Sequence, residues 1–342
     1  MTAQTTHWLD GTPGGTLLYE LNDGDVTARL TPLGASLCGL LLPTRDGCRD
    51  VVLRYEGPDG YRDNPSNFGA TVGRYANRIG GGRFVLDGTT HQLEVNNGPN
   101  CLHSGSANFA RRQWAADAAT VDGSPAVRFT LVSPDGEGGF PGTLSAAVTY
   151  RLSGGKLSIV YEATTDADTV VSLTNHTYWN LAGQSSGDAR GHRVRVNAGR
   201  RLEVDATVLP TGRLLDVSGT PFDFREERAV DSRWDELTAL GLNGYDHCFA
   251  LDTPGLGTVA AELASPVSGV RMSVRTTLPG CQLYTAAHLD GSESNAGYDA
   301  YAGVCLECQM FPDSPNHPNF PSTLLRAGET IRHETTHTFS TD

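Results

Sequence analysis

Lysine is nearly missing from this chain. One of its 342 residues is a lysine, Lys156, in a turn-like Ser153-Gly154-Gly155-Lys156. Schiff-base chemistry and a phosphate-cradling P-loop lysine are excluded unless that turn residue carries them. Positive charge in general is scarce: 26 Lys and Arg against 39 Asp and Glu leave a net charge of −13. Nucleic acid and anionic membranes are held by clustered cations, so neither is expected as a partner. No stretch approaches the ~18 uninterrupted apolar residues of a membrane span. The first residues, Met1 to Trp8, have no basic start and no apolar run, so no secretory signal is expected. The seven cysteines (38, 48, 101, 248, 281, 305 and 308) are odd in number and unpatterned. They read as reduced thiols in a cytoplasmic protein rather than as a disulfide framework.

Two kinds of regularity are absent as well. No strand–helix alternation runs along the chain, which excludes a Rossmann or βα-barrel enzyme. No repeat of roughly 20–50 residues recurs, which excludes a solenoid or propeller. What is abundant is punctuation. Forty Gly and 18 Pro make 58 of 342 residues, about 17%, where the average is roughly 12%. Between these breaks the apolar pattern has period two. Phe84 to Leu86 and Thr89 to Leu93 flank Asp87-Gly88, a pair suited to the positive φ angles of a primed hairpin turn. Val148 to Leu152 and Leu157 to Tyr161 flank Ser153–Lys156 as a second hairpin. Alternation also runs through Val26–Leu30, Ala126–Val132, Val194–Val196 and Val270–Arg275. One short helix is predicted near Asp231–Leu240, with an Asp cap and acidic residues in its first turn. A chain of this length could hold two domains at roughly 150 residues each. No linker divides it, however, and the Pro-rich Phe311–Pro321 reads as a stiff loop between strands. The expectation is all-β: one domain over 1–342, a large many-stranded antiparallel β-sandwich.

Three motifs point to chemistry that their context does not support. His333-Glu334-Thr335-Thr336-His337 matches H-E-x-x-H, which brings two histidines to one zinc only on a helix. The surrounding Thr330–Phe339 is rich in β-branched residues and reads as a strand. Cys305-Leu306-Glu307-Cys308 is a C-x-x-C, but in a strand an offset of three puts the thiols on opposite faces. Gly80-Gly81-Gly82 reads as a turn. No metal and no cofactor are expected.

Other clusters are richer in polar groups than a core requires. Asn175–Asn180 (Asn-His-Thr-Tyr-Trp-Asn) gathers two amides, an imidazole and two aromatics, and Gly73–Arg78 holds two guanidiniums. Asn100–Gly105, Gly244–His247 and Gly280–Gln282 add an acid, amides and imidazoles. Glu307 lies between apolar neighbours in what reads as a buried strand, a costly place for a carboxylate without a partner or a use. Taken singly, such clusters hold turns. Taken together they suit a small polyhydroxylated ligand, with amides and carboxylates for hydroxyl groups and aromatic faces for C–H faces.

At these residues the chain resembles the aldose 1-epimerase (galactose mutarotase) family. The matching segments, in the family's order, are Asn67–Ile79, Asn97–His103, Thr174–Gly183, Leu209–Gly212, Thr220–Phe224, Gly244–Phe249 and Glu307–Gln309. The resemblance runs from about Gly15 to Phe339. It implies an antiparallel β-sandwich with an open monosaccharide cleft and interconversion of α and β anomers of free aldohexoses. Carried over motif by motif, Glu307 is the catalytic base, His176 the acid, and His103 assists at the ring oxygen. Asn77, Arg78, Tyr178, Asp246 and Gln282 line the sugar site. One departure is Ser104, where the family usually has Gly after the histidine, and it puts the local backbone path in question. Anomer exchange itself needs a base at the C1 hydroxyl and an acid at the ring oxygen. Carboxylate and imidazolium suit these roles, with ordinary pKa values of about 4.3 and 6.5. On that assignment the rate rises as Glu307 ionises and falls as His176 loses its proton. Sequence alone does not decide whether nearby carboxylates raise the histidine or burial lowers it. Rival readings are a hexose-6-phosphate epimerase, which needs cleft cations beyond Arg78, and a non-catalytic sugar-binding module. A glycosidase would need two flanking carboxylates, for which Asp246 and Glu307 are the candidate pair.

Overall fold

The structure is a computed structural model that describes residues 2–8, 16–44 and 46–341. The Gly15 start of the resemblance, and both ends of the 1–342 domain expectation, lie outside the described residues. Three large antiparallel sheets dominate. In the nine-stranded sheet, Ala115–Val121, Ser124–Ser133, Leu144–Ser153 and Lys156–Thr165 form a meander. Thr330–Thr341 then pairs between Lys156–Thr165 and Val270–Thr276, and Ala261–Ala264, Arg193–Val196 and Arg228–Ala229 complete the sheet. The six-stranded sheet runs Tyr178–Trp179, Val304–Gln309, Gly280–Tyr284, Asp246–Ala250, Arg200–Val204, Pro210–Asp216. A five-stranded sheet is built from Thr2–Trp8 to Gly47–Asp50 in chain order.

Period-two patterning explains how the sheets meet. Val148, Tyr150, Leu157 and Ile159 of the large sheet, Leu283 and Leu306 of the six-stranded sheet, and Leu30 and Leu40 of the five-stranded sheet belong to one buried apolar cluster. Each fully buried aliphatic side chain there is worth roughly 1.5–3 kcal/mol in transfer free energy. Both expected hairpins form. Arg83–Leu86 pairs with Thr89–Gln92 across Asp87-Gly88, and Ser153 pairs with Lys156 across Gly154-Gly155. All four turn residues have positive φ, as a primed turn requires.

The helix near Asp231–Leu240 is shorter than expected, Trp234–Ala239, and its N-cap is Arg233 rather than an Asp. Asp231 accepts the Trp234 N–H through its backbone carbonyl instead, in a preceding turn. A second short helix, Pro58–Asp63, escaped the sequence reading; Pro58 at its first position is its helix-start signal. Gly80–Gly82 is a turn, as expected, held by Asp313 Oδ1 accepting from the Gly80 N–H at 2.9 Å. No helix is long and apolar enough to cross a membrane among the described residues.

Candidate active site

One face of the six-stranded sheet is polar because its strands alternate. On Val304–Gln309, Leu306 and Cys308 join the core, which turns Cys305 and Glu307 the other way. On Gly280–Tyr284, Cys281 and Leu283 are core residues, and Gln282 and Tyr284 take the opposite face. Register aligns these strands into two rows. Asp246 pairs with Tyr284, Tyr284 with Cys305, and Cys305 with Tyr178; one row on, Gln282 pairs with Glu307. Above this face lies a cleft of about 510 Å³.

Seven of the eight residues nominated from sequence line that cleft: Asn77, Arg78, His103, His176, Tyr178, Asp246 and Glu307. Gln282 stands behind the wall, 2% exposed, and donates from Nε2 to Asp246 Oδ1 at 2.5 Å. Asp246 Oδ2 also accepts from both terminal nitrogens of Arg78 at 3.4 Å, and Arg78 Nε donates to Asn97 Oδ1 at 3.1 Å. Arg78, Asp246 and Gln282 are thus a braced set rather than independent contacts. Tyr178 is buried and its hydroxyl donates to the Ser66 carbonyl. It therefore acts through its ring, stacked on His176 at 5.0 Å between centroids.

The loop carrying His176 is tied by backbone bonds, the His176 N–H to the Ala70 carbonyl and the Gly69 N–H to the His176 carbonyl. His176 Nε2 comes within 3.7 Å of Glu307 Oε2. That oxygen is buried and unpartnered, and so is Gln282 Oε1. His103 Nδ1 accepts from the Asn77 backbone N–H at 3.0 Å. A neutral His103 therefore carries its proton on Nε2 and is a donor there. Burial, then the charge of His176, pushes His103 well below the ordinary histidine value.

The local backbone question at Ser104 is answered by its hydroxyl. Ser104 sits in the left-handed region, φ +64°, between His103 (+52°) and Gly105 (+60°). A side chain there costs roughly 1–2 kcal/mol. Ser104 Oγ accepts from the Tyr75 N–H at 2.9 Å and donates to the Tyr75 carbonyl at 3.3 Å. Two buried hydrogen bonds, worth about 0.5–1.5 kcal/mol each, offset that strain.

The electrostatics of the pair differ from the sequence expectation. Burial, reinforced by Asp246, raises Glu307 well above the ordinary carboxylate range. Burial, reinforced by His288, lowers His176 to about 4. Desolvation outweighs the nearby charges, so burial favours the neutral form of both Glu307 and His176. The expected carboxylate–imidazolium pair is the same two groups with one proton moved.

The remaining sequence signals sort clearly. Arg74 is buried and donates to the carbonyls of Ser133, Pro134, Pro141 and Gly142, so it braces a loop away from the cleft. Arg112 pairs with Glu137. His247 faces away, its ring 4.7 Å from that of Phe222. His333 and His337 lie on the strand Thr330–Thr341, four residues and hence about 13 Å apart along it. Cys308 is in the core, whereas Cys305 touches His176, Sγ to Nδ1 at 3.8 Å. Sequence reasoning missed Cys305, fully buried behind the cleft, and Tyr284 and His288, which line it. The signal for the first two was alternation, two residues before Glu307 and two after Gln282. His288 had none, since it reaches the cleft on a loop, stacked on Tyr284.

Comparison with known proteins bears on the family and the fold. The family model "Aldose 1-epimerase" matches residues 17–338. A galactose mutarotase of Bos taurus is 40% identical over 326 residues, covering 94% of this chain and 93% of that protein. An aldose 1-epimerase of Escherichia coli (strain K12) is 39% identical over 329 residues, 94% and 93%. The crystal structure of galactose 1-epimerase from Lactobacillus acidophilus NCFM superposes with a TM-score of 0.87 at 28% identity, covering 100% of this chain and 99% of that one.

Proposed function

This chain belongs to the aldose 1-epimerase family and interconverts the α and β anomers of aldoses, and we propose that Glu307 and His176 carry the two proton transfers. The observation that carries the assignment is the unpartnered Glu307 Oε2 on the cleft floor, 3.7 Å from His176 Nε2. Glu307 takes the proton from the C1 hydroxyl while His176 gives one to the ring oxygen. The C1–O5 bond breaks and O1 becomes the aldehyde oxygen. Rotation about C1–C2 presents the other face, the O5 hydroxyl adds back, and the protons return. Each group ends as it began, so the cycle balances without an electron carrier.

Burial gives this sequence a direction of drive. The ring-closed complex has to carry a carboxylate and an imidazolium, the pair that desolvation opposes. Ring opening moves one proton onto Glu307 and one off His176, and leaves both neutral. The dry floor therefore favours the open-chain intermediate relative to the closed sugar. His103, donating from Nε2, supports the ring oxygen. Asp246, braced by Arg78 and Gln282, takes hydroxyls away from C1 together with Asn77, and the Tyr178 ring holds His176 in plane.

The substrates proposed are free aldohexoses of the glucose and galactose type. Among the described residues lining the cleft, Arg78 is the one permanent cation, and it is already paired with Asp246, so a sugar phosphate finds no free charge. The same pairing leaves Asp246 unsuited to glycosidase chemistry. Free cysteines, six of the seven buried, support a cytoplasmic location. The apolar cluster shared by all three sheets supports one domain over 1–342, which a single thermal unfolding transition would test. Polarimetry on freshly dissolved α-glucose and α-galactose tests the activity; no acceleration over buffer would overturn it.

A further inference from the structure

The sequence draws attention to the wrong histidines for a metal. A different trio meets the requirement: His176, Cys305 and Glu307 each place one donor atom so that all three lie within 4.8 Å of one another, and all three are buried. The ring of His176 lies between the other two, with Nδ1 3.8 Å from Cys305 Sγ and Nε2 3.7 Å from Glu307 Oε2, and one ion would take one of these two nitrogens. Zinc-class ions hold sulfur at about 2.3 Å and nitrogen or oxygen at about 2.0–2.2 Å, which sets tetrahedral ligands roughly 3.5 Å apart. Side-chain rotations have to draw one donor from each residue from within 4.8 Å to that spacing. Glu307 Oε2, without a hydrogen-bond partner and 3% exposed as a side chain, is an unspent ligand aimed into the site. His176 and Glu307 line the cleft, and Cys305 lies fully buried behind them.

We propose that this trio is an inhibitory site for a thiophilic divalent cation of the zinc or cadmium class, whose occupancy excludes the sugar. A thiolate, an imidazole and a carboxylate form a borderline-soft set that favours such ions over magnesium or calcium. On binding, the Cys305 thiol and the Glu307 carboxyl each exchange a proton for the metal, and both protons leave to solvent. Two of the three ligands are the proposed proton-transfer pair, so the metal occupies both at once. The inhibition half of the proposal rests on that assignment; the binding half does not.

The test uses cadmium chloride on the full chain carrying Cys48→Ser, which removes the one exposed thiol. Titration should give one equivalent of sulfur-to-cadmium charge-transfer absorption, displaced by galactose and by EDTA. Cys305→Ala in that background should lose the band. It should also raise the cadmium inhibition constant, relative to its own uninhibited rate, by at least the 10–100-fold that loss of even an outer partner costs a metal site. Cys305→Ser, closer in size, guards against a folding defect. Absence of the band in Cys48→Ser protein, or its persistence in both Cys305 variants, overturns the site. A normal band that galactose does not displace overturns exclusion of the sugar, while leaving the anomerase reading to polarimetry.

Discussion

Two regions of this molecule bring histidine next to glutamate, one from a loop and one along a strand, and they have opposite fates. On the six-stranded sheet, His176 and Glu307 meet at the floor of an open cleft. On the nine-stranded sheet, the terminal strand carries His333, Glu334 and His337. There Glu334 is held by Arg332, and the His337 ring lies against Trp179 at 5.3 Å. Burial lowers His337 to about 4, the same value as His176 and for the same reason. A displaced pKa is thus common to both regions and separates nothing. His337 Nδ1 is buried without a partner just as Glu307 Oε2 is, so what separates the regions is the opening, about 510 Å³ beside Glu307 against about 10 Å³ beside His337.

The sharpest way to break the comparison is at Glu307. Glu307→Gln should lower kcat on the order of 10²–10⁴-fold, and His176→Asn by a similar factor, with sugar binding retained by calorimetry. The two losses should combine to less than their product, because the groups act in one ring opening. A folded Glu307→Gln with near-normal kcat would place the base elsewhere.

The pH profile is the next most sensitive measure. The productive pair holds a single proton in total, so kcat/KM should be bell-shaped. Its acid limb, near pH 4, reports His176 taking up a second proton, and its alkaline limb, above the ordinary carboxylate range, reports loss of the shared one. A rise centred near an ordinary glutamate value and a fall near an ordinary histidine value would restore the sequence expectation instead. Stability follows the same signs. Glu307 has a folded pKa above its unfolded value, so its contribution is complete below that unfolded value and is lost as pH rises through the folded one. Glu307→Gln should therefore gain stability relative to the parent at alkaline pH, read by thermal denaturation. His176 has a depressed folded pKa; as a base it contributes stability above the unfolded value, lost as pH falls toward 4.

Smaller effects belong to the braced set. Asp246→Asn and Arg78→Ala should raise KM by roughly 10–100-fold, the worth of a charge-assisted hydrogen bond, with kcat changed less. Loss of kcat alone would move them into the chemical step. The smallest effect is expected on the other sheet: His333→Ala should leave kcat unchanged and stability within about 0.5 kcal/mol, as for most surface substitutions. Activity that is lost in EDTA and restored by zinc would overturn this and revive the terminal histidines.

Local patterning carried much of this into the sequence. Period two and the Asp87-Gly88 and Gly154-Gly155 turns were legible because they depend on neighbours in the chain. So was the terminal strand, since β-branched Thr330–Phe339 overrode the zinc motif. The site was legible where a motif concentrated it, at His176 and Glu307, and less so where it depended on register. That Tyr284 and Cys305 share a row with Asp246 follows from strand pairing between residues far apart in sequence. The protonation state was not legible at all, because it depends on how much water the finished fold excludes.

The position of Thr330–Thr341 has a consequence for how the chain is made. This strand is bonded on one side to Lys156–Thr165 and on the other to Val270–Thr276. Until it arrives, the large sheet exists as two pieces, each with a bare edge able to template association with another copy. As the chain is made, the Lys156–Thr165 edge waits for about half its length before Thr330–Thr341 follows, and the Val270–Thr276 edge for a much shorter stretch. The contacts to Lys156–Thr165 span more than a hundred residues and form slowly, whereas those to Val270–Thr276 are more local. Arrival of this one strand, rather than of any residue of the cleft, is the event that closes both edges.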